Sequence, residues 1–401
     1  MQAAEFRRLD GPGRRFWWLL ACLAVPLALG FASFLHMETQ GHIVTGMDNQ
    51  VVWGMPHVFA VFLIVSASGA LNIASIASVF GRTLYKPLAP LSGLLSVALL
   101  AGGLAVLMLD LGRPERLIVA MTHFNFQSIF AWNIFLYTGF FAVVAVYLWF
   151  MLDPGLNRLV TLAGFLSFVW RLVLTTGTGS IFGFLVARQA YDSALLAPMF
   201  IAFSFAYGTA LFILVLVAIS RFDGLPLGGE LFLRLGNLLG IFVGASLYFI
   251  AIFHLTKLYL ARHAGIERFI LLDGGVYTFL FWGGQIVLGG LLPLVLVFHP
   301  ATARSRAALV AAAALVALGG LAQMYVTIIG AQAWPLVLFP GMQESSSFFD
   351  GEIHPYAPSM VEALLGIGGV ALAATLVAIA LRVLPFLPRR LDQAEAAAGQ
   401  H

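Results

Sequence analysis

The sequence predicts an all-α integral membrane protein of about ten transmembrane helices, and three observations carry that prediction. Hydrophobic residues make up 61% of the 401 and charged residues only 10%, against roughly a quarter charged in a soluble domain. The apolar residues form long continuous runs, each enough for a spanning helix, rather than the alternating segments of roughly ten residues that build an outer-membrane barrel. Lysine and arginine gather between the runs with a strong bias to one side.

The spans follow in order. The first, 16–36, starts behind Arg14-Arg15; the pair could also head an export signal, but the run is long and lacks a small-residue cleavage site. The second, 55–79, opens with Pro56 in its first turn, where proline costs no hydrogen bond. The third, 91–110, is stopped by Gly112 and Pro114. The fourth and fifth, 127–151 and 158–181, are separated by Asp153-Pro154-Gly155. The sixth is 196–219, and the seventh, 231–258, carries Gly236, Gly240 and Gly244 at the four-residue spacing of a helix-packing stripe. The eighth, ninth and tenth are 273–298, 307–330 and 358–384. Spans over 55–181 and 196–330 are expected as two four-helix bundles, with 16–36 and 358–384 flanking them, in a single membrane domain.

Thirteen Lys/Arg fall on the side of the N-terminus, among them Arg14, Arg82, Arg158, Arg304, Arg389 and Arg390, and five on the other, Arg113, Arg116, Arg188, Arg262 and Arg268. This bias predicts a cytoplasmic (inner) membrane protein with both termini in the cytoplasm. The net charge of +3 reflects these flanks, so the expected surroundings are a lipid bilayer and not nucleic acid. The lone cysteine, Cys22, lies in the first span, so the chain holds no iron–sulfur cluster by itself. Two loops exceed what connection needs, 111–126 and 331–357. The second carries Glu344, Asp350, Glu352 and a Phe348-Phe349 pair, and reads as a docking surface for a partner.

Ionisable residues are costly near hydrocarbon and are functional candidates when kept there. His57, Asp110 and His123 stand at ends of spans on one predicted side of the membrane, the extracytoplasmic one. Two imidazoles and a carboxylate that converge can exchange protons with a small membrane substrate, and a quinone is the natural one. Around them lie Trp53, before the second span, and Gln127 and Trp132, beside the fourth. A quinone headgroup needs donors for its carbonyls and apolar walls for its ring, which these residues can supply; an ordinary interfacial collar is the other reading. Asp110 is placed either to pair with Arg113 or to act as a base.

Behind His57, Ser68, Asn72 and Ser75 fall within about 60° of its face around the helix. They read as a polar track for protons or as bridges between helices. Arg171, mid-membrane in the fifth span, either lines that track or fixes packing. A second polar cluster is expected from His254, Lys257 and Asp273, with Glu362 at the same level; interfacial snorkelling is its alternative. Among nine histidines only His57, His123 and His254 are plausible haem b ligands, since His36, His42, His263, His299, His354 and His401 read as loop or span-end residues. One haem near that surface stays open. A proton-coupled transporter is a further rival, disfavoured because the ionisable residues cluster at one end.

The histidine opening the second span, the Leu109-Asp110-Leu111-Gly112-Arg113-Pro114 segment and the ten-span layout resemble the NrfD-like family of membrane subunits, typified by polysulfide reductase, over nearly the whole chain. Within it, the run from His254 to Tyr277 and the loop from Leu338 to Gly351 look most similar to the quinone-interacting subunits of Dsr-type complexes of sulfur metabolism. The resemblance implies a quinone (menaquinone or ubiquinone) site without a bound metal at the extracytoplasmic end of spans 2–5. It implies a ferredoxin-like iron–sulfur subunit on that side, beside further membrane and cytochrome subunits of an oxidoreductase complex. His57 matches the family's quinone-binding histidine, and Asp110 and His123 match positions near the pocket. Trp53 is a departure, standing where the polysulfide-reductase member has asparagine. The resulting expectation is a quinone-reactive subunit, inactive alone, in which His57 binds the headgroup and Asp110 with His123 exchanges its protons.

Overall fold

The computed structural model describes residues 6–10, 13–336 and 351–388. Ten apolar helices are long enough to cross a membrane: Gly13–Gln40, Met55–Ser78, Thr83–Leu109, Ile129–Leu152, Pro154–Gly183, Leu196–Asp223, Gly229–Tyr259, Val276–Phe298, Arg306–Ala333 and Met360–Val383. The fold is all-α, with one two-residue ladder among the described residues, pairing Phe6–Arg7 with Leu387–Pro388. Glu344, Phe348, Phe349, Asp350, most of the Leu338–Gly351 motif, Arg389 and Arg390 lie outside the described residues.

The second span is the hub. It packs on the third, fifth, sixth, ninth and tenth, and 94% of its most apolar stretch is buried, against 11% for the first span. The first span touches the tenth along one face and otherwise turns aromatics such as Trp17 and Phe31 outward, as a lipid-facing helix does. The fourth and fifth spans pair, the fifth leans on the sixth, the seventh and ninth pack on the sixth, and the eighth packs on the seventh and ninth.

Because lipid tails are as apolar as the side chains, close helix approach depends on small residues. Three crossings use them. A Cβ on Gly69 would lie 1.5 Å from the Ser204 carbonyl oxygen, and one on Gly208 2.0 Å from the Gly69 carbonyl carbon. A Cβ on Gly30 would lie 2.8 Å from Gly368 Cα, and one on Gly289 2.7 Å from Gly319 Cα. The expected stripe in the seventh span is weaker. Gly240 does make room for the Phe298 ring, but a Cβ on Gly244 meets nothing within 4 Å.

The second span is not one continuous helix. It breaks at Leu71, between Met55–Ala70 and Asn72–Ser78. In a bilayer the freed backbone groups need internal partners, and neighbouring spans supply them. Ser96 Oγ donates to the Ala67 carbonyl at 2.7 Å and Ser92 Oγ to that of Ala70 at 2.6 Å. The Ala74 N–H donates back to Ser92 Oγ at 3.1 Å, and Tyr147 OH to the Ala74 carbonyl at 3.0 Å.

Gly208→Ala is expected to lower stability by at least about 2 kcal/mol through overpacking. Gly244→Ala should stay within about 0.5 kcal/mol of the parent. Thermal unfolding in detergent reads both; equal melting of the two variants would refute the crossing.

Candidate functional site

At one end of the bundle the chain enters the second span through Trp53 and Gly54, with Gly54 capping the helix and Pro56 in its first turn. This entry is held rigidly. Gln332, fully buried at the end of the ninth span, accepts from the Val52 and Trp53 N–H groups at 3.1 Å each and donates to the Trp53 carbonyl at 3.0 Å. Arg188 donates to the carbonyls of Gln50, at 2.7 Å, and Gln332, at 3.1 Å. Glu362 caps the tenth span through Ser359. It also accepts from Tyr356 OH at 2.6 Å and from the Gly46 N–H at 2.8 Å. Tyr356 OH in turn accepts from the Met55 N–H at 2.8 Å. Gly54 is required here, because a Cβ would lie 2.3 Å from Glu362 Oε1.

His57 then projects from the first turn towards Asp110, the residue that ends the third span. Its Nδ1 lies 2.9 Å from Asp110 Oδ2. His42, from the loop before the second span, approaches the same carboxylate. Its Nε2 is 3.1 Å from the Asp110 carbonyl oxygen, a hydrogen bond, and 3.8 Å from Oδ1. The side-chain contacts are close, but the carboxylate oxygens and His57 Nδ1 lie off the axis of a good hydrogen bond. Asp110 is 1% exposed at its side chain, His57 17% and His42 33%, so the cluster grades from buried carboxylate to accessible imidazole. Gly112 makes the turn that admits His42. Its φ is +69°, and a Cβ would sit 3.0 Å from His42 Cε1.

The electrostatics follow from that placement. The side-chain contact with the Asp110 carboxylate, aided by its charge, raises the His42 pKa above the ordinary imidazole value, while burial pulls the other way. Burial pushes the Asp110 carboxyl up, but contacts with His42 and His57 and their charges outweigh it and hold the carboxyl below its usual range.

One wall of the site is aromatic. Trp53 stacks on His57 with ring centres 6.0 Å apart and planes 27° from parallel, and meets Phe130 and Phe182 edge-on. His57 Nε2 takes no hydrogen bond from the described residues. An imidazole nitrogen beside flat apolar walls fits the headgroup of a quinone.

The other expected residues are distributed differently. His123 ends the short helix Leu117–Thr122, is exposed, and contacts Thr122 Oγ1 at 3.0 Å; it does not join His57 and Asp110. Gln127 is exposed, and Trp132 Nε1 donates to the Phe126 carbonyl at 2.5 Å, so both belong to the outer rim. Arg113 makes no ion pair with Asp110; the two histidines take that place. Arg171 is buried and pairs with no carboxylate among the described residues. Its Nη1 donates to Asn72 Oδ1 at 2.5 Å and to the Ser68 carbonyl at 3.1 Å, and its guanidinium lies over the Phe168 and Phe205 rings. Asn72 continues to Thr209 and the Phe205 carbonyl, Ser68 to Thr175 and the Arg171 carbonyl. Ser75 bonds back to Leu71. Ser68, Asn72 and Arg171 thus form a closed knot around the helix break.

The second expected cluster separates. Lys257 donates to the carbonyls of Gln189, Tyr191 and Asp192 and so pins the loop between the fifth and sixth spans. Asp273 pairs with Arg268 at an exposed position, and Glu362 belongs to the second-span entry. His254 instead meets Glu267, with Nδ1 2.7 Å from Oε2. The haem-ligand candidates His57, His123 and His254 therefore stand against Asp110, Thr122 and Glu267 respectively, and no two come together.

Because the Asp110 contact raises His42, the stability His42 draws from it is complete below the unfolded value of about 6.5 and is lost as pH rises through the raised folded value. Asp110, held low, contributes above about 3.9 and loses that contribution as pH falls through its depressed value. Asp110→Asn should lower the His42 titration from its raised position, read by nitrogen-15 NMR of the imidazole. An unmoved titration would show that the carboxylate does not govern His42.

The family described as polysulphide reductase, NrfD, matches residues 43–335. The chain is 28% identical over 393 residues to the Hdr-like menaquinol oxidoreductase integral membrane subunit of Archaeoglobus fulgidus, spanning 97% of this chain and 98% of that protein. It is 24% identical to a selenate reductase subunit of Mesobacillus selenatarsenatis, over 94% of this chain and 95% of that one. It is 21% identical to the menaquinone reductase integral membrane subunit of Nitratidesulfovibrio vulgaris, over 94% and 93%. The matched segment runs from the loop of His42 to the end of the ninth span and takes in His57 and Asp110; the chain belongs to the NrfD family of polysulphide reductase membrane proteins.

Proposed function

We propose that this chain is the quinone-reactive membrane subunit of an oxidoreductase complex, with the quinone headgroup bound at His57. The observation that carries the reading is a buried carboxylate set between two imidazoles beside an aromatic wall. The names of the Archaeoglobus and Nitratidesulfovibrio relatives, which refer to menaquinol and menaquinone, favour menaquinone as the substrate.

In quinol oxidation, a hydroxyl of the headgroup donates to His57 Nε2. As electrons leave, the hydroxyl proton passes to that nitrogen, and the imidazolium is stabilised by Asp110 at Nδ1. The Nδ1 proton of His57 then passes through the Asp110 carboxylate to His42, which is partly exposed and releases it to water; the second hydroxyl proton leaves to water at the rim, so that two protons and two electrons depart for each quinol oxidised. Reduction runs the same steps backwards. In this reading protons are exchanged on the side where His42 stands, and the Ser68–Asn72–Arg171 knot secures the broken helix. His123, Gln127 and Trp132 form the rim past which the headgroup enters.

Electrons go to or come from an iron–sulfur partner, since this chain has only Cys22 and cannot ligate a cluster alone. We place that ferredoxin-like partner, along with any cytochrome subunit, over the end that carries His57. The lysine and arginine bias supports an extracytoplasmic position for that end, with both termini in the cytoplasm. Spans 2–5 form the bundle that carries the site. The assignment to sulfur metabolism rests on the resemblance of the His254–Tyr277 run and of the Leu338–Gly351 loop sequence.

In the purified complex, His57→Ala should abolish quinol-dependent reduction of the partner's clusters while leaving the subunits assembled. Asp110→Asn should slow it about 100-fold or more, the scale of a lost acid–base partner. Full activity in His57→Ala would remove the quinone from this site.

A further inference from the structure

A second polar interior lies between the sixth, seventh, eighth and ninth spans, apart from the His57 site. Two cavities of about 40 and 20 Å³ adjoin there and share Ile250, Gln285 and Gln323 in their walls. The larger is also lined by His254 and Glu267. Glu267 is 2% exposed and reaches His254 Nδ1 at 2.7 Å.

The polar groups of these walls are not all satisfied by the protein. Gln285 is buried, and neither its amide nitrogen nor its amide oxygen has a partner among the described residues. Gln323 is buried too; its nitrogen donates to Thr327 Oγ1 at 2.8 Å, but its oxygen is unpartnered among the same residues. An orphaned amide is costly in hydrocarbon surroundings and needs a guest that both donates and accepts. The backbone around it is irregular in a way that opens space: π-helical turns run through Leu280–Leu291, which holds Gln285, and through Val326–Gly330, just after Gln323. Such turns are rare and recur at functional sites. The cavities exceed the roughly 10–15 Å³ that one water needs, and the polar partners are of the right kind and number.

We propose that this half of the protein encloses a cluster of bound water, ligated by Gln285 and Gln323 and ending on the His254–Glu267 pair. Water supplies both a donor to the Gln285 and Gln323 oxygens and an acceptor for the Gln285 nitrogen. It also puts a buried carboxylate–imidazole pair in hydrogen-bonded contact with the bundle interior, well away from the His57 cluster.

Radiolytic hydroxyl footprinting of the full chain in nanodiscs tests the site, because buried side chains are oxidised only where water touches them. Met199 lines the larger cavity and is 2% exposed; Met324 is 0% exposed and lines neither. Met199 should be oxidised several-fold faster than Met324, and a Gln285→Leu/Gln323→Leu variant should abolish the difference. Gln285→Met alone, a milder change, should reduce it, and unchanged helicity and melting confirm folding. Equal, slow oxidation of both methionines in the parent would overturn the proposal, as the cavities would be dry. Fast Met199 oxidation that survives both variants would also overturn it, by showing bulk access or another occupant instead of water held by the two amides.

Discussion

A carboxylate withdrawn from water at the end of the third span organises this end of the molecule. Asp110 is nearly inaccessible, and an unpaired charge there would be prohibitive. Removing one partner from a buried ion pair costs about 3–5 kcal/mol. The histidines that face it come from two different places, the first turn of the second span and the loop ahead of it. Their convergence therefore requires that the loop be fixed, and the Gln332, Arg188, Tyr356 and Glu362 contacts fix it. A partly buried imidazole and a more exposed one are joined through one carboxylate, which is the arrangement proton exchange at a membrane surface needs.

The same constraint, that polar groups in hydrocarbon must find partners inside the protein, explains the middle of the bundle. The second span is almost wholly buried and is broken at Leu71. Serines of the third span, Tyr147 of the fourth and Arg171 of the fifth supply the missing partners. Arg171 accepts a site without a carboxylate because a carbonyl, an asparagine oxygen and two aromatic faces share its charge. The Gly69–Gly208 contact brings the sixth span close enough for Asn72 to reach Thr209. Helix packing and polar satisfaction are one problem here, solved by small residues on one side of the second span and hydroxyls on the other.

Much of this was readable from sequence, and the failures have physical causes. Span positions followed from apolar runs, and His57 and Asp110 followed from their places at span ends. The third span begins earlier than expected because the Thr83–Leu88 turn runs into it despite Lys86 and Pro87. The break at Leu71 had no proline to announce it; hydroxyls on other helices make it tolerable. His42 is the loop residue it was expected to be, but its partner is 68 positions away, and only the fold joins them. His123 stands at the same predicted level as His57 but on the rim, since membrane depth does not give lateral position. Glu267 was hidden in a connection between spans, although Gln285 and Gln323, lone amides in apolar runs, were a signal that the second half also has a polar interior.

The most direct test of quinone chemistry at His57 is a structure of the intact complex with a quinone or a headgroup inhibitor bound. The expected result is a headgroup oxygen within about 3 Å of His57 Nε2, the ring against Trp53, and His42 still in contact with Asp110. A headgroup bound elsewhere, with His57 Nε2 facing only protein or lipid, would contradict it.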